Sequence, residues 1–466
     1  MKAIVLVLIL ALSGSRALRA DEVDDYVEAQ RQRFNVPGIS LAVVKSGKVI
    51  KAKGYGIANI ELNVPATPTS AYQLASVTKQ FTATGIMLLV EDGKLKLSDN
   101  ISKHLDNLPA AWSNITVRHL LTMTSGIKDY LNNMPRGTSR NEFTFEQLID
   151  FVRDKPLDFA PGEAYRYSNS NYILLARIIQ QLSDKPYESF LADRIFRPLG
   201  MTSTRRDSPT DLITNRAGLY EFRSNKLENV RYLSPSLWNN GDGGLLSTVM
   251  DLAAWDAALY TERVLKKSSL EQMWQPAKLN NGQETEYGFG WVLGQQRGHR
   301  TVGHAGGRPG TATQITRFLD DELTVIVLLN GRGSAQAIAT GVAGRYIPGL
   351  LLSSLKPERD LDPALTGRLK QCLLELAEKQ DSPSITPEFR SQYALSRSRA
   401  ESLAARLKDM ESFTFVTEDI ASGQKRLGVP VSRFRYYKME NPKESRFYRF
   451  ELTGDGKVAY YQSFEE

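Results

Sequence analysis

Ser76 and Lys79 stand three residues apart in QLASVTKQFTATGIMLLVEDGK (residues 73–94), where a long apolar run with helical spacing begins. Residues i and i+3 at a helix start share a face, so a hydroxyl and an amine can meet there. Free serine is a weak nucleophile, and a neighbouring neutral amine can take its proton. A lysine desolvated among apolar neighbours gives up its own proton more readily than a free one. The first helical turn also offers unpaired backbone N–H groups, useful where an oxyanion develops. The spacing alone is a weak signal, because S-x-x-K recurs at Ser353/Lys356, which runs into Pro357, and at Ser422/Lys425, which contains Gly423. Only the first copy opens a long apolar helix.

Two other segments carry residues of the right types. In PGEAYRYSNSNYILLARII (161–179), Tyr167 and Asn169 lie two apart and face one cleft if the chain is extended there. A phenol beside a lysine can act as acid or base, and an amide can orient both lysine and substrate. The pattern is cheap, since Tyr130/Asn132 repeats it. In TVGHAGGRPGTATQI (301–315), strand alternation puts His304 and Gly306 on one side. The small residues Ala305, Gly306 and Gly307 let a ligand approach the backbone. Arg308 beside them either attracts an anion or faces water, with the second favoured.

Elements must bring these segments together. VPGISLAVVKSGKVIKAKGYGIAN reads as two strands joined at Ser46-Gly47-Lys48, and residues 73 to about 260 read as mostly helical. Strands return in HRTVGHAGG and in TATQITRFLDDELTVIVLLN, a hairpin turning near Asp320-Asp321, followed by a helix in AQAIATGVAGRYI. Strands from both ends of residues 21–354 are therefore expected to share one sheet around a helical insertion. After a charged, proline-bearing stretch at LKPERDLDP, residues 358–466 read as a small α+β accessory domain. It has two helical patterns (361–380 and 387–411) and a hairpin through Gly454-Asp455-Gly456.

The bulk properties exclude several functions. Residues 1–20 (MKAIVLVLILALSGSRALRA) have a basic start, a short apolar core and small residues, the pattern of a signal peptide cleaved after Ala17 or, by preference, Ala20. The apolar run is too short to span a bilayer, so no membrane span is expected once it is removed. Its loss leaves 56 basic and 52 acidic residues, a net charge of +4 with no basic run, which argues against nucleic acid. Cys372 is the one cysteine and there are four histidines, so neither an intrachain disulfide nor a structural zinc site is expected, and no cofactor is called for.

Taken in order, HLLTMTSGIKDY, FAPGEAYRYSNSNYILL, IFRPLGMTST, GDGGLLSTVMDLAAW, YGFGWVLG and GHAGGRPG, together with the segment around Ser76, resemble the penicillin-recognising serine hydrolases. The group includes class C β-lactamases, D-aminopeptidases and related esterases, and the resemblance covers roughly residues 22–350. It implies a β-lactamase/transpeptidase-like α/β (α+β) fold, an antiparallel sheet flanked by helices with a mostly helical subdomain and the active site between them. It implies Ser76 as nucleophile, Lys79 as its activating partner and Tyr167 as general base or acid. Asn169 would bind Lys79 and a substrate amide, His304-Ala305-Gly306 would line the substrate strand, and the N–H groups of Gly307 and Ser76 would form the oxyanion hole. Tyr130 falls in the helix–loop segment before the site and is set aside.

His304 departs from the lysine usual at that position in the β-lactamases. Histidine is largely neutral at pH 7, so it attracts a substrate carboxylate less well. That favours an exported hydrolase of small esters or of D-amino-acid amides and peptides. The alternatives are a β-lactamase or D-Ala-D-Ala carboxypeptidase, in which Arg308 supplies the missing charge, and an inactive binding or assembly protein of the same fold.

Overall fold

The computed structural model describes residues 14–231, 234–238, 240–378, 381–392, 397–421 and 425–466. Residues 1–13 of the expected leader and Ser422 of the third S-x-x-K lie outside the described residues. The chain divides into two compact units, residues 1–345 and 346–466.

In the larger unit, helix α1 (Gly14–Arg33) leads into β1 (Gly38–Lys45) and β2 (Lys48–Asn59). Ser46 and Gly47 between them have φ of 48° and 73°, the left-handed pair that closes a two-residue hairpin with the twist of its strands. After β3 (Val64–Pro65) the chain leaves this sheet and returns as β4 (Val292–Gln296), β5 (His299–Arg308), β6 (Thr311–Phe318) and β7 (Leu323–Leu329). The seven strands run in the order β3-β2-β1-β7-β6-β5-β4. GISLAVVK and LTVIVLL are continuous apolar runs rather than alternating ones, as expected of strands covered on both faces. They take the centre, antiparallel from Ile39↔Leu329 to Lys45↔Leu323. Asn330 fastens the junction, accepting from the Gly38 N–H at 2.6 Å and donating to the Ile57 and Ala58 carbonyls at 3.0 Å each.

The excursion between β3 and β4 holds helix α2 (Thr78–Glu91), buried on every side from Thr78 to Leu89. A helix with no wet face is a core helix, and its polar residues need partners inside. Thr82 Oγ1 has the Gly241 carbonyl and the Tyr187 hydroxyl, each at 2.6 Å, and Gln80 Oε1 accepts from Trp255 Nε1 at 3.2 Å. Helix α3 (Asn169–Ser183) crosses it at Gly85, where a Cβ would come within 2.8 Å of Ile179 Cδ1. Helices α4 (Val249–Ala258) and α5 (Ala335–Ala343) complete the elements used below. The architecture is the antiparallel sheet with flanking helices and helical insertion that the sequence implied. In and beside the stretch read as helical, short strands also pair: Tyr72–Gln73 and Arg205–Arg206 with Leu245–Ser247, and Tyr220–Arg223 with Lys226–Asn229, each too brief to leave a period in the sequence.

The smaller unit is α+β. Helices α6 (Pro363–Ala377), α7 (Pro387–Gln392) and α8 (Arg397–Leu407) accompany a four-stranded antiparallel sheet, β8 (Ser412–Ile420), β9 (Arg433–Glu440), β10 (Ser445–Leu452) and β11 (Val458–Phe464), paired in that order. Asp362 caps α6 through the Leu365 N–H at 2.9 Å, with Pro363 in the first turn where a missing N–H costs nothing. Cys372 on this helix is buried and unbridged.

Candidate active site

Ser76 sits in a single 3₁₀ turn, Ala75–Val77, that runs into α2. Ala75 has a φ of +47°, a strained value for an L-residue that holds only where its surroundings fix it. The approach is indeed tied on two sides. Thr313 of β6 donates to the Leu74 carbonyl (2.8 Å), and the Leu74 N–H reaches the Leu245 carbonyl at 2.8 Å. Ser76 is half-buried in a stretch that is otherwise buried from Ala71 to Leu89.

Lys79, one turn on, is fully buried. Its Nζ lies 3.1 Å from Ser76 Oγ, 2.9 Å from Asn169 Oδ1 and 2.6 Å from the Asp242 carbonyl. Among the described residues no carboxylate touches it. Burial pulls its pKa below the ordinary lysine value, while the more distant charges of Asp242 and Asp129 pull the other way. Asn169 opens α3 after Ser168, whose extended backbone (φ −144°, ψ 122°) turns the chain into the helix. Asp129 Oδ2 accepts from both the backbone N–H and Nδ2 of Asn169, at 3.0 and 2.8 Å, so the amide can only present its oxygen to Lys79.

Tyr167 completes this cluster. Its hydroxyl is turned toward Ser76; burial is the larger influence on its pKa and pushes it upward, while Ser76 holds it down slightly, so it rests as the neutral phenol. Lys79 Nζ stands 5.0 Å from the Tyr167 ring centre. His304 on β5 lies beyond, its ring centre 6.2 Å from that of Tyr167. Its Nδ1 faces the Ala305 carbonyl at 2.6 Å, which can only accept, so the proton is on Nδ1. Nε2 then accepts from the Tyr287 hydroxyl at 3.0 Å. Burial, with Lys79 nearby, pushes the imidazole down to about 3. It is a neutral wall, not a cation.

The glycines of β5 have separate reasons. A Cβ at Gly306 would stand 2.1 Å from the Leu74 carbonyl, so this glycine lets β5 lie against the Ser76 turn. Packing accounts for it without a ligand. A Cβ at Gly307 would meet nothing within 4 Å, so open space adjoins that position. Arg308 neither faces water nor offers a free charge. Its side chain is 9% exposed and is paired with Asp207 at 3.3 Å, a carboxylate shared with Arg216 at 2.6 Å.

The structure thus brings Ser76, Lys79 and Asn169 into one hydrogen-bonded group, with the Tyr167 ring, His304 and β5 along its side. Sequence reasoning missed Asp129, Asp242 and Tyr287, and it set aside Tyr130, whose hydroxyl lies 3.0 Å from Asp242 Oδ2. Asp242 had one visible signal, a lone acid among glycines in GDGGLL leading into a buried strand. Among the described residues no group of three or more His, Cys, Asp or Glu could hold a metal, and no helix is long and apolar enough to cross a membrane.

The family model described as Beta-lactamase matches residues 23–343. The chain belongs to the Beta-lactamase family. Family members are serine hydrolases, and the match takes in every site residue named above. Among relatives, penicillin-binding protein 4* of Bacillus subtilis (strain 168) is 35% identical over 317 residues, 65% of this chain and 69% of its own length. A D-aminopeptidase of Gluconobacter oxydans (strain 621H) is 28% identical over 321 residues, 68% of this chain and 60% of that protein. Among solved structures, the octameric penicillin-binding protein homologue from Pyrococcus abyssi matches 96% of both chains at a TM-score of 0.62 and 25% identity.

Proposed function

We propose that the protein hydrolyses small esters or D-amino-acid amides and peptides through an acyl group carried on Ser76. The observation behind this reading is the set of oxygens around Lys79. The Asp242 carbonyl and Asn169 Oδ1 are acceptors only, and together they occupy two N–H bonds of a neutral amine. The third direction, where the lone pair lies, faces the Ser76 hydroxyl. Lys79 is then the base: the serine oxygen attacks the substrate carbonyl carbon and its proton moves to Nζ. Tyr167, a neutral phenol against Ser76, passes a proton to the departing alcohol or amine and takes it back from the water that attacks the acyl carbon; as the acyl–oxygen bond breaks, Lys79 returns its proton to Ser76 Oγ. The Ser76 and Gly307 N–H groups would receive the oxyanion, a contribution typically worth on the order of 10²–10³ in turnover. Asn169 and the β5 edge would align the substrate.

The substrate class follows from charge. His304 is neutral and Arg308 is held by Asp207, so neither offers a free cation to the carboxylate of a penicillin or a D-Ala-D-Ala peptide. Substrates without a carboxylate at that end are favoured, and the D-aminopeptidase relative supports an amide of that kind. Export is part of the same reading, through the leader at residues 1–20.

The test is a panel of p-nitrophenyl acetate and butyrate, D- and L-amino-acid p-nitroanilides and nitrocefin, with wild type and Ser76→Ala. Ester or D-anilide turnover is expected, lost in Ser76→Ala together with labelling by a fluorophosphonate. Equal turnover by the two proteins would end the reading. Nitrocefin hydrolysis faster than ester hydrolysis would replace it with β-lactamase action.

A further inference from the structure

Tyr167 has to keep its hydroxyl at Ser76, yet it lies in residues 164–168, which form neither helix nor strand. No regular ladder of backbone bonds holds it. On one side it borders a cavity of about 510 Å³, which Lys128, Asp158 and Arg166 also line, so packing does not fix it from that direction. A catalytic group misplaced by about 1 Å can lose on the order of 10² in rate, so a restraint is needed here.

Arg166, the residue before Tyr167, donates from Nη1 to Asp158 Oδ2 at 2.7 Å, and Lys128 Nζ donates to Oδ1 of the same carboxylate. A backbone bond from the Arg166 N–H to the Met123 carbonyl at 3.0 Å fixes one point of the stretch, and this ion pair fixes a second. Asp158 is itself anchored: its side chain is 10% exposed, and its N–H meets the Gly126 carbonyl at 2.8 Å. Gly126 and Lys128 belong to the segment that carries Asp129, which holds Asn169 through Oδ2. Ser170 of α3 joins that segment too, donating to the Lys128 carbonyl at 2.7 Å and accepting from the Tyr130 N–H at 3.0 Å. The carboxylate therefore ties the stretch of Tyr167 to the piece of chain that fixes the amide facing Lys79. Burial pushes the Asp158 carboxyl up, and the hydrogen bonds from Lys128 and Arg166 more than offset it, leaving it below the ordinary aspartate value and charged near neutral pH. The Arg166 side chain is 63% exposed, and pairs open to water add little stability, so the loss of this one belongs in the rate more than in the melt.

We propose that Asp158 is a positioning residue of the active site: gripped by Lys128, its carboxylate holds Arg166 and so keeps the Tyr167 hydroxyl at Ser76. The inference rests on the reading of Tyr167 as proton donor to the departing group, and it adds what holds the donor in place.

Leaving-group dependence tests it, because a fold that is merely loosened lowers every rate alike. Ethyl butyrate and p-nitrophenyl butyrate deliver the same acyl group to Ser76, but ethanol must be protonated to leave, whereas p-nitrophenolate departs as the anion. In Asp158→Asn, kcat/KM for the ethyl ester is expected to fall by roughly 10–10²-fold and that for the p-nitrophenyl ester by less than about threefold. Asp158→Glu keeps both ion pairs and should recover most of the ethyl ester rate. An equal fall on the two esters, or a glutamate variant as poor as the asparagine one, overturns the proposal. If Asp158→Asn does not fold, Arg166→Gln carries the same test at an exposed position: it must show the selective loss, and an unchanged ratio of the two rates counts against the assignment. A ratio unchanged in the variants while Ser76→Ala abolishes both rates removes this inference and leaves the proposed reaction standing. A wild type that cleaves only the p-nitrophenyl ester has no working donor and overturns it as well. One that cleaves neither defeats the ester reaction, and the inference with it.

Discussion

Lys79 and Arg317 are both buried basic residues of the larger unit, and they are held in opposite ways. Arg317 on β6 meets Asp256 of α4 at 2.7 Å, both within 2% of full burial, and Thr324 donates to the same carboxylate oxygen at 2.7 Å. The rings of Tyr260 and Trp274 flank the guanidinium at 4.7 and 4.9 Å. Among the described residues, the oxygens Lys79 meets are neutral ones. A carboxylate in contact stabilises a buried cation as a cation, and arginine does not give up its proton in proteins. With no carboxylate of the described residues in contact, burial lowers the Lys79 pKa to about 8, so the neutral amine comes within reach near neutral pH. Two similar cores thus yield a structural strut in one place and a base in the other.

Methionine in place of each residue separates the two roles. Lys79→Met removes the base and is expected to lower ester turnover by roughly 10²–10⁴-fold. It leaves no charge bare, so its unfolding free energy should stay within about 1–3 kcal/mol of wild type. Arg317→Met leaves Asp256 buried and unpaired and should cost about 3–5 kcal/mol, with turnover per folded molecule near that of wild type. Urea melts and active-site-titrated rates measure both quantities. If the two variants lost stability equally, the contrast between strut and base would be wrong.

Asp129→Asn is a smaller perturbation of the same cluster. Asp129 uses both oxygens, Oδ2 for the two donors of Asn169 and Oδ1 for the Leu131 N–H, so an asparagine with its single acceptor oxygen must give up one of these attachments and loosens the loop that holds Asn169 on Lys79. Losing one such bond is worth about 1.4 kcal/mol, roughly tenfold in kcat. Because the Asp129 charge favours protonated Lys79, its removal should also move the acid limb of the rate profile to lower pH. A limb displaced upward would contradict the electrostatics assigned here.

The parts of this arrangement that could be read in the sequence are the local ones. Ser76 and Lys79 face each other because of helical geometry, and Tyr167 and Asn169 because one ends an extended stretch and the other opens α3. The central strands showed themselves as unbroken apolar runs. That three distant segments meet was legible only through the family resemblance, since spacing within each says nothing of the others. Asp129, Asp242 and Tyr287 stayed hidden, and Tyr130 was noticed but set aside, for a common reason: each acts on a neighbour brought near by folding. An acid beside a lysine in space looks, in sequence, like any surface acid. Gly306 was legible as a required glycine through ligand approach; the structure adds a packing demand that the sequence could not show, because the Leu74 carbonyl lies far away in the chain. The pattern over 387–411 read as one helix; the structure has α7 and α8, with residues 393–396 outside the described ones.

The least effect expected, and the one that reports most directly on Lys79, is the dependence of stability on alkaline pH. The folded pKa of Lys79 lies below its unfolded value of about 10.4. Between the two, the unfolded chain binds more protons than the folded one, so this residue makes the protein more stable as pH rises. Its contribution is complete above the unfolded value and is lost as pH falls through the lowered folded value. One proton gives a slope of at most about 1.4 kcal/mol per pH unit. Urea melts of wild type and Lys79→Met should therefore differ by an amount that changes across this window in favour of wild type as pH rises. The difference between wild type and Arg317→Met should stay flat there, because arginine does not titrate in it. A flat difference for Lys79→Met as well would mean that the buried amine holds its proton like any surface lysine, and the distinction between the two residues would rest on packing alone.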